Sequence, residues 1–182
     1  SFSIDDRVKT AAIYAGTIAA CLLATAWVLK LWRADLFVPF AYKGDALVNS
    51  VWIKGIIDNG WYLYKNYVGV PAGLAMVDFP TADNFHFLII KVISLFTGNY
   101  AVTMNIFFLA TFPLTTVSSL FVFRKLNISY PVAIFGSLLY TFLPYHFFRG
   151  ESHLFLAAIY VIPLTSLLIL RVNSETPPFI KD

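Results

Sequence analysis

The sequence has little charge for its length and only one cysteine. Asp, Glu, Lys and Arg make up 13% of the 182 residues, whereas about 25% is usual in a soluble domain. A water-soluble domain is therefore excluded, and the 59% hydrophobic content excludes a disordered chain. Because Cys21 has no second cysteine, the chain forms no internal disulfide and no cysteine-built zinc site.

The charge that is present is nearly balanced and scattered. A net charge of +3 without a basic patch excludes a nucleic-acid-binding surface. Aromatic residues are 18% of the chain and the mean hydropathy is +0.73. This composition is typical of a helical protein that crosses a membrane several times.

Four uncharged stretches are predicted to be transmembrane helices, at about residues 10–32, 101–123, 130–147 and 154–172. The first has no charge from Thr10 to Leu29, and 20 helical residues reach about 30 Å, enough to cross a bilayer. A cleaved signal peptide is the alternative there, because Ala24-Thr25-Ala26 resembles a cleavage site. Short turns at 124–129 and 148–153 predict antiparallel hairpins. The predicted fold class is an all-α membrane protein, with 1–182 as a single transmembrane module.

Basic residues predict the orientation of these helices. Short basic segments stay in the cytoplasm, and six such residues lie in the two tails and the 124–129 turn: Arg7, Lys9, Arg124, Lys125, Arg171 and Lys181. Both ends are therefore predicted to be cytoplasmic, in a multi-pass protein of the plasma (inner) membrane. The long loop 33–100 then lies outside the cytoplasm.

The outer loop is predicted to contain amphipathic juxtamembrane helices. Residues 44–59 have an apolar side with helical spacing, made of Leu47, Val48, Val51, Trp52 and Ile56. Residues 85–96 are apolar but too short to cross, so we expect a helix lying along the membrane surface.

The polar chemistry lies at the outer rim. The middles of the predicted spans contain no Asp, Glu, Lys or Arg, which argues against an ion-coupled transporter. Asp45 follows the first span closely and is either a helix N-cap or a carboxylate that takes a proton from an acceptor hydroxyl or binds a divalent metal, Mg²⁺ or Mn²⁺. Asp78 and Asp83 flank Pro80, as turn formers or as ligands of a substrate.

His146, Arg149 and His153 form a second candidate group. On a continuous helix they would share one face, and Arg and His suit a lipid phosphate. Arg149 could equally be an ordinary interfacial anchor. We expect Asp45 and the 146–153 turn to face one cavity.

The layout resembles the GT-C superfamily of membrane glycosyltransferases, which use polyprenyl-phosphate sugars. The likeness lies in Gly44-Asp45 after the first span, the amphipathic segment through Trp61, Asp78-Phe79-Pro80 with Asp83-Asn84, and Pro144-Tyr145-His146 running to His153. The resemblance implies a catalytic role for Asp45 and substrate contacts for Arg149, His146, His153, Asp83 and Asp78. Ala46 replaces the second member of an Asp-Glu pair found in several of these families, so the particular family stays open.

The predicted function is sugar transfer from a polyprenyl-phosphate donor to an acceptor at the extracytoplasmic face. The alternative is a non-enzymatic membrane subunit that binds a partner protein or lipid. Enzymes of this superfamily have more than four spans. We therefore expect the chain to be the amino-terminal portion of a larger protein, with the remainder or other membrane subunits as partners.

Overall fold

The structure, a computed structural model, describes residues 4–69, 71–77 and 83–173. The described part is mostly helical and divides into two compact units. The first unit contains residues 4–32, 111–147 and 158–173. The second contains the described residues of 33–110 together with 148–157.

The long helices confirm the first three predicted apolar helices. Helix α1 is Ile4–Val28, α4 is Tyr100–Lys125, and a third stretch consists of α5 (Tyr130–Thr141) and α6 (Pro144–Arg149). Within the described residues, three helices are long and apolar enough to cross a membrane: Asp5–Val28, Tyr100–Lys125 and Tyr130–Arg149. These helices suggest a multi-pass membrane protein.

The fourth predicted span differs from the structure over its first part. Helix α7 is Val161–Val172, only 12 residues, and residues 154–160 form turns. Leu154, Ala157 and Ile159 are almost completely buried, at 1%, 0% and 3% exposure. The hydrophobicity of 154–160 therefore reflects burial within the protein, which the sequence pattern does not distinguish from a lipid-exposed helix.

The second unit contains the helices predicted for the outer loop. Helix α2 is Asp45–Asn59 and α3 is Asn84–Thr97. A short hairpin lies between them, in which β1 (Tyr64–Lys65) pairs antiparallel with β2 (Leu74–Ala75). The sequence analysis did not predict this hairpin. Its turn requires a glycine at Gly69, where φ is +83° and an added Cβ would lie 2.8 Å from the Gly73 carbonyl oxygen.

The side of α2 that packs within the protein coincides only in part with the apolar side seen in the sequence. Leu47, Val48 and Val51 are 40–43% exposed, and the side that packs consists of Ala46, Asn49, Ser50, Trp52, Ile53, Gly55 and Ile56. Trp52 and Ile56 of the predicted apolar side pack within the protein, whereas Leu47, Val48 and Val51 lie on the surface, where lipid could cover them. Small and polar side chains, absent from a count of apolar positions, allow close packing on the other side.

Aromatic rings form the core between α2 and α3. The ring of Phe87 lies 4.0 Å from that of Tyr62, 4.9 Å from Phe155 and 5.7 Å from Trp52, measured between centroids. Each such pair stabilises the fold by about 0.5–1.5 kcal/mol, in addition to the free energy gained by burying the two rings. This cluster attaches the 152–156 segment to α2.

Candidate functional site

A cavity of about 360 Å³ lies in the second unit, beside the first two turns of α2. Its wall on the α2 side includes Asp45, Asn49 and Trp52. The segment 152–156 forms the opposite wall, and His153 and Phe155 belong to it. The cavity therefore combines a carboxylate and an imidazole with two large apolar rings.

Asp45 is the first residue of α2 and lies next to His153. Gly44 occupies the N-cap position, with φ of +54°, and no side chain caps the helix. The carboxylate of Asp45 is 70% exposed, and its Oδ2 lies 3.8 Å from Nε2 of His153, whose side chain is 40% exposed. Asp45 is thus not spent on capping its helix, although a carboxylate in the first turn still interacts favourably with the helix dipole.

Hydrogen bonds of Glu151 hold His153 in place beside Asp45. Its Oε2 accepts a hydrogen bond from the Ala41 amide at 2.8 Å, and its carbonyl oxygen accepts one from Nδ2 of Asn49 at 3.0 Å. These bonds attach the short 3₁₀ turn Glu151–His153 to α2, one turn after Asp45, and to the chain that leads into α2. His153 reaches Asp45 because of this attachment.

Burial changes the acidity of Glu151. The residue is 2% exposed, and desolvation raises the pKa of its carboxyl group from 4.5 to about 7, although the hydrogen bonds from the Ala41 and Phe40 amides oppose that rise. Oε1 is also buried and has no hydrogen-bond partner among the described residues. The sequence analysis did not identify Glu151 as a site residue. The feature of the sequence that could have indicated its role is a single carboxylate just before the apolar stretch that begins at Leu154.

His146 lies on α6 in the first unit, and its imidazole packs between α6, α4 and the end of α5. Nδ1 donates to the Thr141 carbonyl at 2.8 Å, and Nε2 lies 2.8 Å from the Thr111 hydroxyl. The imidazole stacks on Phe112 with centroids 4.2 Å apart and is 0% exposed. These contacts give His146 a role in helix packing, where both ring nitrogens are used.

The other predicted residues are distributed as follows. Arg149 ends α6 and belongs to the second unit, but it is not among the described residues that line this cavity. Asp83 is the N-cap of α3, where its carboxylate accepts from the His86 amide at 3.4 Å and pairs with the His86 ring. That placement matches a structural role. Asp78 lies outside the described residues.

A second cavity in this unit has a volume of about 420 Å³ and lies between α2 and the hairpin. Lys65 lines it with only 3% exposure, and burial lowers the pKa of its ammonium group to about 8. Its stem covers Gly55, where an added Cβ would lie 3.0 Å from Lys65 Cε. No pattern of residues predicts this site, because a lysine in a loop is usually exposed.

The described residues contain no cluster of three metal-ligating side chains. Over 4–69, 71–77 and 83–173, no three His, Cys, Asp or Glu side chains lie close enough together to hold a metal ion. Asp45 and His153 supply two donors, and Mg²⁺ can be held by one or two carboxylates together with substrate phosphate and water. The metal-binding alternative for Asp45 therefore stays a prediction, and no chemical step below depends on a metal.

Comparisons with known protein families, with curated proteins and with solved structures give no significant match. The function proposed below therefore depends on the residues of this chain alone.

Proposed function

We propose that the chain is a glycosyltransferase of the plasma membrane that acts at its extracytoplasmic face, with Asp45 as general base. The observation that carries this proposal is the pairing of Asp45 and His153 across one cavity, 3.8 Å apart. About 100 residues of sequence separate them, and the hydrogen bonds of Glu151 hold His153 beside Asp45.

In the proposed reaction Asp45 takes the proton from an acceptor hydroxyl. The hydroxyl oxygen then forms a bond to the anomeric carbon of the sugar, and the bond from that carbon to the phosphate oxygen breaks. The polyprenyl phosphate leaves with the electron pair. An exposed carboxylate within hydrogen-bond reach of the acceptor suits the role of base. His153 supplies a hydrogen-bond donor to the substrate beside that base.

The lipid phosphate is assigned to Arg149, because a guanidinium binds phosphate through two parallel hydrogen bonds. Arg149 precedes Glu151 by two residues in the same unit. His146 is omitted from the proposed site, since both its nitrogens have partners within the first unit.

The size and walls of the cavity support a sugar as the occupant. Its volume of about 360 Å³ falls in the usual range of small-molecule sites, about 300–1,000 Å³. Trp52 and Phe155 line it with apolar rings, against which the C–H face of a pyranose can pack, while Asp45, Asn49 and His153 can bind its hydroxyl groups.

Replacing Asp45 by Asn tests this assignment. The purified chain in proteoliposomes is given undecaprenyl phosphates of glucose, mannose, galactose or arabinose, with water and added glycerol as acceptor hydroxyls. Release of undecaprenyl phosphate and formation of the free sugar or glycosyl-glycerol are followed by mass spectrometry. We expect Asp45→Asn to lower kcat about 10²- to 10⁴-fold, the usual contribution of a general base. Asp58→Asn is the matched control, because Asp58 lies on the same helix and pairs with Lys54 at 2.7 Å.

Two results would contradict the enzyme proposal. One is turnover by Asp45→Asn equal to that of the wild type. The other is no release from any of the four donors by a wild-type protein that is folded, which would favour the non-enzymatic membrane subunit instead. In that case Asp45→Asn should assemble as the wild type does.

A further inference from the structure

A third cavity, of about 580 Å³, lies in the first unit and is rich in cationic side chains. Six of its lining residues can bind an anion or position a group that does: Arg7, Thr10, Tyr14, Arg124, Lys125 and Tyr130. None of them belongs to the site proposed for sugar transfer.

Local helix geometry brings these residues together. Arg7, Thr10 and Tyr14 have spacings of three and four residues, so they share one face of α1. Arg124 and Lys125 are the last residues of α4, and Tyr130 is the first residue of α5. The Thr10 hydroxyl lies 3.1 Å from the Tyr130 hydroxyl, which joins α1 to the start of α5.

The guanidinium of Arg124 is held in a fixed position. Its carbon lies 3.9 Å from the centroid of the Tyr130 ring, and one of its nitrogens donates to the Ile128 carbonyl. Its Nε is buried and has no acceptor among the described residues. Since arginine has five N–H donors, a fixed guanidinium with unused donors is preorganised for an oxyanion.

Within the described part of the chain, the positive charges around this cavity have no acidic side chain paired with them. Among residues 4–69, 71–77 and 83–173, no carboxylate lies within 4.0 Å of Arg7, Arg124 or Lys125. By contrast, Lys9 on the same helix pairs with Asp5 at 2.7 Å. Three cations at one cavity repel one another, and a bound anion removes that repulsion.

We propose that this cavity binds a phosphate group, with Arg124 as the fixed ligand and Arg7 and Lys125 as the flanking charges. The ligand chemistry fits the headgroup of an anionic phospholipid or a free phosphate ion. The cavity lies where α1, α4 and α5 begin or end, and these belong to the helices that are long and apolar enough to cross a membrane. Headgroups occupy that depth, so the lipid is the favoured source.

Binding is measured on the full purified chain in a zwitterionic detergent. Dioctanoyl phosphatidylglycerol, dioctanoyl phosphatidylcholine and sodium phosphate are titrated separately at constant ionic strength, with native mass spectrometry or calorimetry as the readout. We expect phosphatidylglycerol to bind at least 10-fold more tightly than phosphatidylcholine. The double variant Arg7→Gln/Lys125→Gln should lose at least 10-fold in affinity, while Lys9→Gln should bind as the wild type does.

The double variant leaves Arg124 and its contacts in place, and an unchanged thermal unfolding midpoint verifies its fold. Arg124→Lys keeps the positive charge but loses the planar guanidinium group, which can bind a phosphate through two parallel hydrogen bonds. This variant should therefore also bind more weakly. If sodium phosphate binds as tightly as phosphatidylglycerol, the ligand is free phosphate, and if it binds far more weakly the ligand is the lipid. The proposal is overturned if phosphatidylcholine equals phosphatidylglycerol and phosphate does not bind, or if the double variant matches the wild type.

Discussion

Glu151 carries a carboxyl group that is 2% exposed and receives hydrogen bonds from the backbone before α2. Desolvation raises its pKa from 4.5 to about 7, so the native state holds this proton more tightly than the unfolded chain does. Between those two values the native state binds more protons. The free energy of unfolding therefore falls as pH rises through this range.

We expect the thermal unfolding midpoint of the wild type to fall between pH 5 and pH 7.5. The pKa difference corresponds to at most about 3 kcal/mol over the full range. Glu151→Gln keeps an acceptor for the Ala41 amide and does not titrate, so its midpoint should change less over the same pH range. Differential scanning fluorimetry in detergent measures both proteins.

A second titration lies above this window and does not interfere. Burial lowers the pKa of Lys65 from 10.5 to about 8, so its effect on stability has the opposite sign and appears between those values. If the unfolding midpoint falls equally in the wild type and in Glu151→Gln as pH rises from 5 to 7.5, Glu151 is not the group that causes the pH dependence of stability.

At the residue scale, sequence reasoning identified side chains more readily than their surroundings. Asp45 and the 146–153 turn were predicted to face one cavity, and His153 lines the cavity of Asp45, whereas His146 and Arg149 are not among its described lining residues. Glu151 was not predicted as a site residue. The difference is burial, because the hydrogen-bond partners of the buried Glu151 include Ala41 and Asn49, about 100 residues away in sequence. No local pattern encodes such distant contacts.

Gly136 on α5 lies in close contact with α4. At Gly136, on α5, an added Cβ would lie 3.1 Å from the ring of Phe123 on α4. At Gly16, on α1, an added Cβ would meet nothing within 4 Å. Small residues let membrane helices approach closely, and Gly136 is such a residue at this contact.

We expect Gly136→Leu to lower stability by about 1–3 kcal/mol, because leucine overpacks the contact with Phe123. Gly16→Leu is the matched control and should leave stability unchanged or raise it by up to about 1 kcal/mol, since leucine is the better helix former. Unfolding midpoints of both variants provide the measurement. Phe123→Ala should restore part of the loss in Gly136→Leu, and an additive double variant would refute direct contact.

At the element scale, helix length was predictable and packing was not. The stretches around α2 and α3 were predicted from apolar spacing and turn residues, and both are helices. The buried side of α2 was predicted only in part, and the hairpin of β1 and β2 was not predicted. A helix buries the side that its neighbours fit, and this fit depends on Asn49 and Gly55 as much as on leucine and valine.

The number of membrane crossings is the open question for the whole molecule. Three described helices are long enough to cross, whereas α7 alone, at 12 residues, reaches about 18 Å of the roughly 30 Å required. Residues 154–160 precede it as turns. Irregular backbone is tolerated at membrane depth only where protein buries it. Leu154, Ala157 and Tyr160 are at most 7% exposed, whereas Leu156 is 52% exposed.

We therefore expect α7 and the buried turns before it to complete a fourth crossing, with both ends of the chain in the cytoplasm. Single cysteines are introduced into Cys21→Ala, and intact cells are labelled with an impermeant maleimide. Asn66→Cys should react, whereas Ser129→Cys and Asn173→Cys should react only after permeabilisation. All three positions are exposed, and the Ser129 side chain makes no capping hydrogen bond that the substitution would remove. Labelling of Asn173→Cys in intact cells would mean three crossings, and labelling of Ser129→Cys with protection of Asn66→Cys would reverse the orientation and remove the proposed site from the outer face.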